Sequence, residues 1–186
     1  MEEPIIYINF VAEINEKTSA HLLFLLTDQL RAGVRKFHIN IASNGGTVFH
    51  AVSIYNFISG LEGTDIHTHN LGQIDSSANL FFLTGHKRTA SKASTFLLHP
   101  PQMNVSGNTS LTIDLLKERV GSIEKDQNKM AEIIANKIGK TSMEVLEMFN
   151  SRKTYSSIEA LELGFIDSIQ EYIGKPGVPM FSIMNQ

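Results

Sequence analysis

Three short stretches of the chain carry residues that could act together in acyl transfer. Ser76 follows Gly72-Gln73-Ile74-Asp75 and opens an apolar helical pattern, which places a hydroxyl at a strand-to-helix turn. His99 ends the apolar run Phe96-Leu97-Leu98 and precedes Pro100, so its ring sits at a strand end rather than on a free loop. Ser43-Asn44-Gly45-Gly46 lies between another strand and helix, where unpaired backbone N–H groups and the positive helix end favour a developing oxyanion. A serine hydroxyl is a poor nucleophile unless a base takes its proton, and the two must come within ~2.6 to 3.2 Å. Each piece also has a plainer reading: the serine as a helix N-cap, the glycine pair as a turn, the histidine as a satisfied structural side chain. Spacing alone does not show that the three meet.

The elements that must position these residues follow from periodicity. Short β-branched runs alternate with longer helical patterns through the first half, the rhythm of parallel strands joined by crossover helices and hence of an α/β fold. Strands are expected from Ile5 to Phe10, Lys36 to Ala42, Asp65 to Leu71, Lys87 to Ala90 and Thr95 to His99. Helices are expected from Thr18 to Ala32, from Gly45-Gly46 to about Ser59, and from Ser76 to near Gly85. A long helix from about Ser110 to Ile138 has an apolar pattern too broad for a solitary surface helix, so a partner should cover part of it. Beyond Gly139, Thr141 or Ser142 caps a helix through Phe149, and Ser156 with Glu159 forms a capping box for a helix to Leu163. Phe165 to Ile169 closes as a strand, and Gly174 to Pro179 reads as a loosely held extension.

Composition narrows the classes. The chain has 186 residues, 42% of them hydrophobic, enough for one domain with its own core. It has no cysteine, which removes disulfides, thiolate metal sites and a cysteine nucleophile. Its 16 basic and 19 acidic residues are scattered, leaving no basic face for nucleic acid. No stretch approaches the ~18 to 20 apolar residues of a membrane span, and the start Met1-Glu2-Glu3-Pro4 is acidic where a secretory signal would be basic; a soluble, cytoplasmic protein is expected. His67 and His69 could share a strand face, but no third ligand has metal spacing, so exposed strand histidines are the expectation and no metal or cofactor is assigned. His86-Lys87-Arg88 reads as a solvated turn, and Lys87 or Lys92 offers only a weaker Ser-Lys dyad.

The order and spacing of these pieces resemble the proteolytic subunit of Clp proteases from about Ile5 to Ile169. Asn40-Ile41-Ala42-Ser43-Asn44-Gly45-Gly46 is similar to the family's I-N-S-P-G-G, and Gly72-Gln73-Ile74-Asp75-Ser76-Ser77 to G-Q-A-A-S-M. Leu97-Leu98-His99-Pro100-Pro101 is similar to M-I-H-Q-P, and Ser156 to Asp167 to S-A-x-E-A-x-x-Y-G-L-I-D. The resemblance implies a crotonase-like repeated βαβ superhelix spanning residues 1–170, with a protruding handle helix in the region 102–138 and a C-terminal extension over 171–186. It implies Ser76 as nucleophile, His99 as general base, and the N–H groups of Gly46 and Ser77 as the oxyanion hole. It also implies a polypeptide substrate and a homo-oligomer, in family members two rings of seven paired through the handle.

Departures from the family pattern matter as much. The family's triad aspartate falls on Arg152, which cannot accept an imidazole N–H. Asn150, two residues earlier, is the candidate third member. Asp75 puts a charge directly before the nucleophile, either to orient His99 or to bond nearby helix N–H groups, and Ser77 is a reserve nucleophile. The first strand begins at about Pro4, without the family's preceding helix and axial segment, which argues against docking to an ATP-driven unfoldase of the AAA+ type. Gln102 to Thr109 lacks the family's double glycine. The expected activity is therefore serine endopeptidase. The alternatives are a catalytically impaired ring-forming or scaffold subunit and, more weakly, an acyl-CoA hydratase or isomerase on the same architecture.

Overall fold

In the computed structural model, which describes residues 4–103, 112–172 and 174–185, β-branched and aromatic runs form strands wherever both faces are covered. The element order is β1 (Ile5–Val11), α1 (Glu16–Arg31), β2 (Lys36–Ser43), α2 (Val48–Ser59), β3 (Asp65–Asp75), α3 (Ala78–Phe82), β4 (Lys87–Ala90) and β5 (Thr95–Leu97). It continues with α4 (Ile113–Ile138), α5 (Ser142–Ser151), β6 (Thr154–Ser156), α6 (Ser157–Glu162), β7 (Ser168–Ile169) and β8 (Met180–Met184). Helices start where the spacing predicts a cap: Thr141 with Glu144 and Ser156 with Glu159 form reciprocal capping boxes, and Asn15 with Thr18 forms a third. Helix α4 is capped by Thr112 and stopped by Gly139 in the left-handed conformation.

One sheet runs β6-β5-β3-β2-β1-β8, with β4 and β7 branching from β3. All pairings are parallel except that of β5 with β6. Strand β3 is longer than its periodicity suggests, because its two halves serve different neighbours. His67 to Asn70 pair with β4, whereas Gln73 to Asp75 pair with β5. Between the halves the β2–β3 register shifts, from Ile41 opposite Asn70 to Ser43 opposite Ile74. The segment expected to end in a helix therefore stays extended up to Asp75.

Two expectations are corrected. The stretch read as a loosely held tail leads into β8, which pairs with β1 at the sheet edge and buries Ile183 in the core. The histidines read as exposed are not: His69 is fully buried and His67 half-buried, and both lie beside His38 of β2. The His38 and His67 ring centroids are 4.0 Å apart, and Tyr172 from the segment leading to β8 packs edge-on over His38 at 6.1 Å. The His38 Nε2 and the Tyr172 hydroxyl are buried without a hydrogen-bond partner among the described residues.

Burial first, then the neighbouring His67, His69 and Lys87, holds His38 down at about 3. Burial and then Lys87 hold His67 at about 4, and burial also lowers His69. The unfolded chain titrates these rings near ~6.5 and so takes up protons first as pH falls. The stability they contribute is complete above that pH and is lost as pH falls toward the folded values. Chemical denaturation as a function of pH should show stability declining from about pH 6.5 downward, with a smaller slope in His38→Phe.

Candidate active site

Parallel pairing sends the carboxyl ends of β1, β2, β3 and β5 to one edge of the sheet, and Ser76, Ser77, His99 and Gly46 follow those ends whereas Asn150, Lys87 and Lys92 do not. Strand β5 places Leu97 opposite Asp75, and the Ser76 amide donates to the Leu97 carbonyl at 2.9 Å. The Ser76 turn is thereby tied to the chain two residues before His99. Ser76 takes φ +56°, a left-handed conformation that costs a non-glycine residue roughly 1–2 kcal/mol. Asn79 holds it there: its side-chain amide donates to the carbonyls of Ser76 at 2.9 Å and Leu97 at 3.0 Å. Sequence reasoning missed Asn79; its only signal was a lone amide three residues after the serine in an otherwise apolar helix.

The glycine turn closes against the same place. Gly45 and Gly46 have φ +85° and +146°, and a Cβ on Gly45 would lie 2.6 Å from the Asp75 carbonyl, while one on Gly46 would overlap the Ile14 carbonyl. The Ser77 hydroxyl donates to the Gly46 carbonyl at 3.0 Å, joining the two turns. The N–H groups of Gly46 and Ser77 donate to no described residue, which leaves two backbone donors beside the Ser76 side chain.

Ser76 and His99 line one cleft of about 520 Å³ together with Asn44, Gly46 and Phe49. The His99 Nδ1 lies 2.7 Å from the Pro100 carbonyl. A carbonyl only accepts, so Nδ1 carries the proton and Nε2 of the neutral ring keeps its lone pair, the tautomer a general base needs. Among the described residues no hydrogen bond joins the Ser76 hydroxyl to that ring.

Asp75 is nearly buried and bonds neither a helix N–H nor the imidazole. It accepts from the Gln73 side-chain amide and the Leu97 N–H, and Gln73 also donates to the Asn44 side-chain Oδ1 at 3.0 Å. Burial pushes the Asp75 carboxyl up, against the pull of those two hydrogen bonds and of the His99 ring whenever it is protonated. Asn150 lies exposed on the last turn of α5, and no hydrogen bond joins it to His99 among the described residues. Arg152 caps the same helix at φ +49°, exposed. Lys87 and Lys92 lie at β4 and in the loop after it and do not line the cleft.

The family model described as Clp protease matches residues 2–172. The chain is 28% identical over 168 residues to the ATP-dependent Clp protease proteolytic subunit 3 of Streptomyces avermitilis, covering 89% of this chain and 73% of that protein. It is 25% identical over 167 residues to the proteolytic subunit 2 of Rhodococcus jostii, covering 89% and 82%. A solved structure of a ClpP1 mutant from Listeria monocytogenes superposes with a TM-score of 0.73 at 18% identity, covering 90% of this chain and 91% of that one. At that identity the likeness speaks for the fold alone, a mixed α/β arrangement of sheet and helices.

The left-handed backbone at Ser76 separates two substitutions that both remove its hydroxyl. Ser76→Gly relieves the strain and Ser76→Ala retains it, so urea denaturation should find the glycine variant more stable by roughly 1 kcal/mol.

Proposed function

Since the chain belongs to the Clp protease family, we propose that it is a serine-type endopeptidase that cuts peptide bonds in unfolded polypeptides or short peptides through an acyl-enzyme. The observation that carries this reading is the Ser76 to Leu97 tie, which gives Ser76 and His99 one cleft beside two unengaged backbone donors. Ser76 Oγ attacks the carbonyl carbon while His99 Nε2 takes its proton, and the N–H groups of Gly46 and Ser77 hold the oxyanion. His99 returns the proton to the leaving amine, and water, activated the same way, releases the acid. These steps call on no metal or cofactor.

The third triad role is divided between two groups. Asn150 stands for it on its place in the sequence, and the Pro100 carbonyl on its present hydrogen bond to Nδ1. A second reading, a non-catalytic ring or scaffold subunit, draws on the arginine at position 152 and on the absence of a Ser76 to His99 hydrogen bond among the described residues. Self-association fits the exposed Ile113, Leu116 and Val120 on α4, the helix proposed as the handle; seven-membered rings rest on the family resemblance alone. Among the described residues no helix is long and apolar enough to cross a membrane; a cytoplasmic setting is part of the same proposal.

A fluorophosphonate probe should label the wild-type protein at Ser76, and Ser76→Ala should abolish labelling and lower peptide turnover at least about a thousandfold. Absence of labelling in the wild type, or equal labelling in the variant, would overturn the peptidase assignment. Asn150→Ala is expected to keep kcat/KM within about threefold because the ring is already oriented by a carbonyl; a loss of about a hundredfold would assign the role to Asn150 instead.

A further inference from the structure

The charges on the walls of the Ser76 cleft are of one sign. Apart from His99, the ionisable side chains lining it are Glu13 and Asp126, with no lysine or arginine among the described lining residues. The stretch Asn104 to Leu111 lies outside the described residues, and its sequence carries no charge. The two carboxylates differ in freedom. Asp126 already faces Lys129 at 3.5 Å on α4, whereas no cation among the described residues forms an ion pair with Glu13. Lys17 and His21 share with Glu13 the adjoining cavity on the α1 side, not the Ser76 cleft.

Glu13 is exposed, but the backbone that bears it is pinned. Its N–H donates to Asn185 Oδ1 at 2.8 Å, and its carbonyl accepts from the Thr18 hydroxyl at 2.6 Å. The next residue, Ile14, donates to the Gly45 carbonyl at 2.7 Å and accepts from the Thr47 amide at 2.9 Å, so it forms a bridge to Gly46. The backbone that bears this carboxylate is thus fixed next to the residue that bridges the glycine turn, and the side chain lines the same cleft as Ser76 and His99.

Resting on the peptidase reading, we infer that Glu13 is a specificity-determining residue and that the preferred substrates are polypeptides with lysine or arginine close to the scissile bond. Asp126 on α4, already facing Lys129, adds a smaller share of the same field. A glutamate or aspartate in the substrate meets repulsion in place of attraction, and both effects weaken as salt screens them.

The test uses fluorogenic peptides identical except for Lys, Gln or Glu, placed in turn at each position flanking the scissile bond. Turnover by the full chain is measured at low and high salt, and the same peptides are titrated into Ser76→Ala by fluorescence anisotropy. At one flanking position at least, the Lys peptide should exceed the Glu peptide by about tenfold in kcat/KM and in affinity at low salt, an advantage of about fivefold from attraction and the rest from repulsion. Half a molar salt and Glu13→Gln should each bring the ratio toward one. Equal treatment of the three peptides by wild type and by Ser76→Ala at low salt, or a ratio unchanged in Glu13→Gln, overturns the inference. Failure of the peptidase reading looks different: no peptide is turned over, while the charge preference in binding to Ser76→Ala persists and upholds the role of Glu13.

Discussion

The hydrogen bond from the Ser76 amide to the Leu97 carbonyl is the constraint on which the site rests. It exists because β3 changes partners half-way along its length, leaving β4 for β5, so that the strand's last turn meets the segment that carries His99. Without that exchange Ser76 and His99 would sit on the ends of strands with no common neighbour. Asn79 braces the tie from below by bonding both carbonyls at once, which offsets the left-handed backbone the serine must adopt. The site is thus a junction of main-chain geometry first and of side chains second.

Much of this was readable from the residues. Periodicity located β1 to β5, β7 and the long helix but not β6 or β8, the capping boxes located helix starts, and the two glycine-bearing turns stood out by composition. The failures have a common physical origin: pairing across the sheet is non-local. That β3 continues through Gly72 and Gln73 depends on β5 lying alongside, a fact absent from the local pattern. The burial of His69 depends on β2 and on Tyr172, more than a hundred residues downstream. The Gly174 to Pro179 stretch has the composition of a linker, yet it leads into β8, whose partner is the first strand of the chain.

Polar substitution runs through the places where the chain departs from its family pattern. Asp75 enters a network with Gln73 and Asn44 that spans the space between the serine turn and the glycine turn. Buried charge is tolerated only where hydrogen bonds compensate for lost hydration, and Gln73 and the Leu97 amide supply them. The His99 ring, in turn, is oriented by a carbonyl of its own segment. A carbonyl dipole fixes the tautomer as well as a carboxylate does, but it stabilises an imidazolium less, so under the proposed peptidase reading the ring has the required tautomer with less electrostatic support.

The pairing of β8 with β1 closes a loop of roughly 170 residues, the longest sequence separation in the sheet. Contacts of that span are costly to nucleate, which puts the docking of this strand late in folding and its detachment early in unfolding. Until it docks, β1 is a bare edge with an unsatisfied row of amides and carbonyls. The same edge offers an identical strand from a neighbouring copy the same register and the same Ile183 socket as its own. Protein concentration during refolding then decides between self-closure and exchange of tails between chains.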